Sequence, residues 1–181
     1  MKFCRKSGYA NRGMGLESDI NLTNEYYITQ KKAYIYKKPT PIKISKVDYN
    51  KSKIIEAFFD TQSTLDYNGI FDGNYIEFDA KETNNRTSFP LANIQNHQIE
   101  HIKNILSQRG IVFLIVRFNQ IDKNYLLMGS DLIQFIKNND RKSIPINYFE
   151  EKGYKLEMKY IPRLDYLNVL EKEVLYESKK V

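Results

Sequence analysis

Asp66, Asp79 and Lys81 flank a short hairpin signal, Asp72-Gly73, and their spacing places all three together. Asp-Gly between two runs of alternating apolar residues specifies a two-residue turn. With that turn fixed, Phe71 pairs with Asn74, Asn68 with Glu77, Tyr67 with Phe78, Asp66 with Asp79, and Thr64 with Lys81. Residues directly opposite share a face. Thr64, Asp66, Asn68, Glu77, Asp79 and Lys81 therefore project to one side, and Tyr67, Gly69, Ile76, Phe78 and Ala80 to the other. Opposed carboxylates about 5 Å apart at Cβ repel. A divalent cation between them removes the conflict, and Mg²⁺ takes one or two protein carboxylates while keeping water and phosphate oxygens. Lys81, on the same face, could orient an attacking water or offset transition-state charge. The set suits phosphodiester hydrolysis. The alternative is a wet, charged strand face.

The elements that must hold these residues are legible in part. Leu16 to about Thr29 reads as a helix, Ala33–Tyr36 and Ile42–Val47 as strands, and Thr64–Phe71 with Asn74–Glu82 as the hairpin. A helix follows, with Ser88 or a nearby polar residue as cap, Pro90 in its first turn and Gly110 at its end. Ile94, Ile102, Ile105 and Leu106 mark its buried stripe, and Gln98 lies on that stripe. An inward glutamine needs partners. They are either the water shell of an ion or, in the alternative, nearby backbone. His97 and His101 lie on the neighbouring face, without a HExxH pattern, and are expected to face solvent. Ile111–Arg117 and Tyr125–Met128 read as strands, and Asp131–Lys137 and Asp165–Tyr176 as helices. The order points to a mixed α/β or α+β fold.

Asp48–Gln62 fits neither period well. It carries Lys51 and Lys53, then Ile54, Ile55, Phe58 and Phe59. It reads equally as a projecting hairpin or as a short core helix. Residues 1–15, with Lys2, Arg5, Lys6 and Arg12, read as a flexible basic arm ahead of a single domain over 16–181.

Composition narrows the class. The 181 residues suit one domain, and 28 Lys and Arg against 22 Asp and Glu leave a net charge of +6, which favours a polyanionic partner. One cysteine, Cys4, leaves no internal disulfide and no cysteine-rich zinc site. No apolar run is long enough for a membrane helix. The opening MKFCRKSGYANRGMG lacks an apolar core, so no secretory signal and a cytoplasmic location are expected.

The run STLDYNGIFDGNYIEFDAKET, then TSFPL, then HQIEH, resembles the RecU-type Holliday junction resolvases, within the restriction-endonuclease-like superfamily of PD-(D/E)xK nucleases. RGMGLE, KKPTPIKI, Gly110, RKSI and PRLDY fall in the matching order, so the resemblance runs from about Arg12 to Tyr166. It implies a mixed central sheet flanked by helices, with a projecting stalk near Asp48–Gln62. It also implies a homodimeric, Mg²⁺-dependent endonuclease that nicks opposed strands of a four-way DNA junction and leaves 5′-phosphate ends, with Mn²⁺ as a substitute ion. The family's metal ligands fall on Thr64, Asp66, Asp79 and Gln98, and its transition-state lysine on Lys81. Glu17 and Glu77 are candidate accessory acids. Where the family reads FEAK, this chain reads FDAK, so Asp79 is one methylene shorter.

Expected DNA contacts are Arg12, Lys37, Lys38, Lys51, Lys53, Phe58, Phe59, Arg141 and Lys142. Phosphate contacts of this kind make affinity fall steeply with salt. A recombinase or a branch-migration helicase is a further expected partner. Two rival readings stand: a junction-binding recombination regulator that does not cut, and another PD-(D/E)xK repair or restriction nuclease.

Overall fold

The computed structural model describes residues 15–59 and 64–175, with side chains to residue 172. The basic arm, including Arg12, and residues 60–62 of the irregular segment lie outside the described residues. Strands β1 (Tyr34–Lys37), β4 (Tyr67–Phe71), β5 (Asn74–Thr83), β7 (Ile111–Phe118), β8 (Lys123–Met128) and β10 (Tyr154–Leu156) form one six-stranded sheet in the order β1-β4-β5-β7-β8-β10. β5 and β7 run parallel, and every other neighbouring pair is antiparallel. A parallel pair needs a long crossover. Here it contains helix α2 (Asn96–Ser107), which lays its inward stripe across the sheet.

Strand β7, IVFLIVRF, is buried at every position because both faces of the sheet are covered. One layer holds α1 (Leu16–Thr29) and α5 (Tyr166–Val169), the latter continued by a wider π-type turn over Leu170–Leu175. Leu16, Ile20 and Tyr27 of α1 recur at helical spacing and pack on this side with Tyr67, Phe78, Phe113 and Tyr166. Tyr67, Phe78 and Phe113 stack at 4.8 and 4.7 Å between ring centroids. Burying each such ring contributes about 1.5–3 kcal/mol. The other layer holds α2, α3 (Gly129–Asn138) and α4 (Ile146–Lys152), with Phe89, Ile102, Leu114, Phe135 and Phe149 between them and the sheet.

A charged pin crosses the first layer. Asp19 is 1% exposed. Its carboxylate accepts from Arg117 Nη2 at 2.7 Å and from Arg163 Nε at 2.9 Å, and Arg117 Nε donates to Asn124 Oδ1 at 2.7 Å. The α1 N-terminus follows Gly15, which brings no capping side chain. Glu82 of β5 supplies the acceptor for Leu16 N instead. A carboxylate there complements both the unpaired N–H and the positive end of the helix.

The irregular segment is a strand hairpin. β2 (Ile42–Asp48) and β3 (Lys53–Phe59) pair only with each other. The core-helix alternative is therefore excluded, and the hairpin starts at Ile42, before the expected Asp48. Ile54, Ile55, Phe58 and Phe59 are all exposed, Phe59 at 82%. The helix after the β4–β5 hairpin also begins later than expected. Ser88–Pro90 is a short strand, β6, paired with β9 (Ser143–Pro145). A single 3₁₀ turn follows, and α2 starts at Asn96 behind the Gln95 cap. Proline suits a sheet edge where no N–H is required, so Pro90 and Pro145 close these strands. Gly110 ends the helix region as expected, its N–H reaching Ile105 O at 3.0 Å. Strands β6, β9 and β10 and helix α4 carry no clear signal in the sequence. Among the described residues no helix is long and apolar enough to cross a membrane.

Candidate active site

The turn at Asp72-Gly73 forms as the dipeptide dictates, with φ of 47° and 75°. Tyr67 then faces Phe78, and Asn68 faces Glu77. The β4 ladder stops at Tyr67, one residue short of Asp66. The Asp66 side chain nevertheless stands near enough to Asp79 to act on its carboxyl. The expected pairing of Thr64 with Lys81 does not occur, because the ladder to β4 has ended by then and Lys81 pairs on its β7 edge alone, against Val116.

Asp79 is 0% exposed. Its Oδ1 accepts from Ala80 N at 2.9 Å, and its Oδ2 accepts from Gln98 Nε2 and from Lys81 Nζ, both at 2.8 Å. Burial pushes its carboxyl up to about 7, and the neighbouring Asp66 acts in the same direction, against the pull of the Lys81 ammonium. A wet strand face is excluded, since Glu77 and Asp79 are both buried.

Gln98 finds backbone partners, as the second reading of an inward glutamine has it, and a carboxylate besides. Its Nε2 bonds the Thr64 carbonyl at 2.8 Å as well as Asp79, while its Oε1 accepts from Gln95 N at 3.1 Å. That last bond, with the Gln95 side chain returned to the Gln98 N–H, makes the capping box of α2. As placed, Gln98 braces Asp79 with its nitrogen.

A second cluster lies two residues back along β5. Glu77, 1% exposed, accepts at Oε1 from His101 Nε2 at 2.8 Å and from Thr64 Oγ1 at 3.4 Å, and at Oε2 from Tyr75 OH at 2.6 Å. Lys38 Nζ also bonds Glu77 Oε1, and it reaches Thr64 Oγ1 at 2.8 Å. Burial alone would raise the Glu77 carboxyl. The bonds from Lys38, Tyr75 and His101 outweigh it and hold the group below its usual range. Tyr75 is pushed up to about 12 by burial and by its bond to Glu77, so it stays a donor. The expectation that His101 faces solvent is corrected. Its position three residues after Gln98 on the helix was the available signal. His97 is half-buried.

The remaining expected residues sit apart. Glu17 pairs with Lys37 at 2.6 Å, both exposed. Lys51, Lys53, Phe58 and Phe59 lie on the β2–β3 hairpin and its turn, all exposed. Arg141 and Lys142 are exposed ahead of β9. Among the described residues no group of three or more His, Cys, Asp or Glu is poised to hold a metal. The carboxylate pair fits Mg²⁺ all the same: the ion needs one or two carboxylates, and Asp79 is a buried one whose carboxyl is raised first by burial and then by Asp66 beside it.

Comparison with known proteins agrees in sequence. The chain is 49% identical over 168 residues to the Holliday junction resolvase RecU of Lactococcus lactis subsp. cremoris (strain MG1363), covering 91% of this chain and 79% of that protein. It is 45% identical over 171 residues to the protein of the same name from Streptococcus mutans serotype c (strain ATCC 700610 / UA159), covering 92% and 87%. With the one from Staphylococcus aureus (strain JH9) the identity is 49% over 176 residues, covering 94% and 85%. The structure of Archaeoglobus fulgidus Hjc, a Holliday junction resolvase, matches loosely, with a TM-score of 0.45 at 8% identity over 77% of this chain and 92% of that one, and adds nothing to the assignment. The family model described as recombination protein U matches residues 11–172, so with relatives near half identical over nine-tenths of its length the chain belongs to the RecU family.

Proposed function

We propose that the chain is a structure-selective endodeoxyribonuclease that resolves four-way DNA junctions by paired nicks, acting as a Mg²⁺-dependent homodimer in recombination and repair. The observation that carries the reading is the buried Asp79 in contact with Asp66, Lys81 and Gln98. A protein that only binds DNA has no use for a buried carboxylate set against a second one and a lysine. The relatives' common name, Holliday junction resolvase, supports the choice of substrate.

Asp66 and Asp79 would hold the ion, with Thr64 and Gln98 beside it. When bound, Mg²⁺ supplies a Lewis acid for the scissile phosphate and a charge that keeps both carboxylates ionised. Gln98 fixes the rotamer of Asp79 from the helix side, and Ala80 N fixes its other oxygen. Lys81 is held at the pair by Asp79 and stabilises developing charge on the phosphate oxygens. Lys37, Lys51, Lys53, Arg141 and Lys142 contact backbone phosphates, Arg12 joins them from the arm, and Phe58 and Phe59 present rings to exposed bases. A two-fold dimer sets one such site on each of two opposed strands. A recombinase or branch-migration helicase is a partner class consistent with this role, and the cytoplasm is where it would act.

Cleavage of a labelled four-way junction beside a matching linear duplex, with Mg²⁺ or EDTA, tests the reading. Symmetric nicks on the junction alone, lost in EDTA and in Asp66→Asn, are expected. Tight junction binding without cleavage under Mg²⁺ or Mn²⁺ would overturn it.

A further inference from the structure

Glu77 is a fully buried anion that cannot be an exposed acid. Its two oxygens carry four donors: Lys38, His101, Thr64 and Tyr75. All four donors reach the surface at least in part, and the two that carry nitrogen, Lys38 and His101, have 22% and 28% of the side chain exposed. Glu77 and Asp79 are successive residues on one face of β5, so their Cα atoms stand about 6.6 Å apart. The cluster and the carboxylate pair are therefore adjacent compartments of one surface. Lys38 joins them: its backbone N–H donates to Asp66 O at 2.7 Å, and its ammonium donates to Thr64 and Glu77. Two of its three ammonium protons are thereby placed, and one is left for an incoming acceptor. His101 must donate from Nε2 to the carboxylate, which leaves Nδ1 as its other polar atom.

We infer that Glu77 is a positioning residue. It holds Lys38 and His101 as a fixed wall that takes the DNA backbone phosphate next to the reacting one. The inference rests on the nuclease reading above and assigns that site a second phosphate position. Within the Lys37-Lys38 pair it separates the roles. Lys37 is spread on the surface against Glu17, and Lys38 belongs to the active site.

Charge alone and positioning agree on affinity for Glu77→Gln and differ on turnover. Removing a buried anion adds one net positive charge, so plain attraction to DNA increases and the salt dependence steepens by up to about one counterion. Positioning predicts a junction affinity in EDTA equal to or tighter than wild type, together with a turnover about 10–100-fold lower. Glu77→Asp should recover part of the loss. Lys38→Met should slow turnover to a similar degree, and the double variant should be no slower than the slower single one, because both act through one contact. Unchanged or faster turnover in Glu77→Gln, or losses that multiply in the double variant, would overturn the inference. If Glu77→Gln does not fold by circular dichroism, Lys38→Met and His101→Gln decide the matter: wild-type turnover in both overturns it. Failure of the wild-type protein to cut the junction is a separate result and removes the nuclease reading instead.

Discussion

Lys81 Nζ lies 2.8 Å from Asp79 Oδ2, and the two side chains leave the same strand on the same face. That spacing ties the ammonium to the carboxylate that would hold the ion. Lys81→Ala should therefore lower turnover by about 10²–10³-fold, the usual cost of removing one preorganised charge-stabilising donor. Junction affinity in EDTA should change little. Single-turnover cleavage beside a binding isotherm separates the two, and a parallel loss of affinity would count against the role.

The raised Asp79 carboxyl makes stability in the absence of metal depend on pH. From its ordinary value of 3.8 up to about 7, the folded chain binds a proton that the unfolded chain has released. Stability from this group is full below the unfolded value and is lost as pH rises toward 7, by an amount on the order of a few kcal/mol. Urea unfolding in EDTA at pH 5 and pH 7.5 should show it. Asp79→Asn should flatten this component and be the more stable form at the higher pH. Added Mg²⁺ competes with the proton, so its apparent affinity should rise across the same interval. A wild-type protein that gains stability relative to Asp79→Asn between those pH values would show the sign to be wrong.

Asp19→Ala should cost about 3–5 kcal/mol, because it strands the buried Arg117 and the partly buried Arg163 without their shared anion. The denaturation midpoint should fall. Activity, measured where the variant is still folded, should persist.

Phe58→Ser with Phe59→Ser should leave stability within about 0.5 kcal/mol, since both rings are exposed and contribute little to either core. Discrimination between junction and duplex should fall, while the residual cleavage still requires Mg²⁺. A large drop in Tm would mean that the hairpin is part of the folding unit.

The site was legible where chemistry and local geometry coincide. Asp-Gly fixes a turn, the turn fixes a register, and the register places Glu77 opposite Asn68 and Asp79 two residues on along the same face of β5, beside the end of β4 that follows Asp66. The inward Gln98 followed from helical spacing alone. What could not be read depends on contacts distant in sequence. Lys81 has Val116 on one side and no ladder partner in β4, because β4 begins only at Tyr67 while β5 runs on along β7 to Thr83. The link from Lys38 to Glu77 spans 39 positions, and no periodicity announces it. Ser88-Phe89-Pro90 looked like a helix start, since proline suits a first turn, but its partner is the equally short strand at Ser143–Pro145. Ile54, Ile55, Phe58 and Phe59 have an apolar pattern that suits a buried helix as well as a hairpin, and only the tertiary environment distinguishes them.

Gln98 uses one planar amide for two purposes, its oxygen on Gln95 N and its nitrogen on Asp79. The first turn of α2 and the carboxylate pair are thus opposite ends of a single lever. Anything that draws the amide toward the pair, or turns it over, takes the acceptor away from the Gln95 N–H. That one hydrogen becomes a gauge set outside the site. Its exchange with deuterium should record how often the grip on Asp79 is released, before any strand is cut.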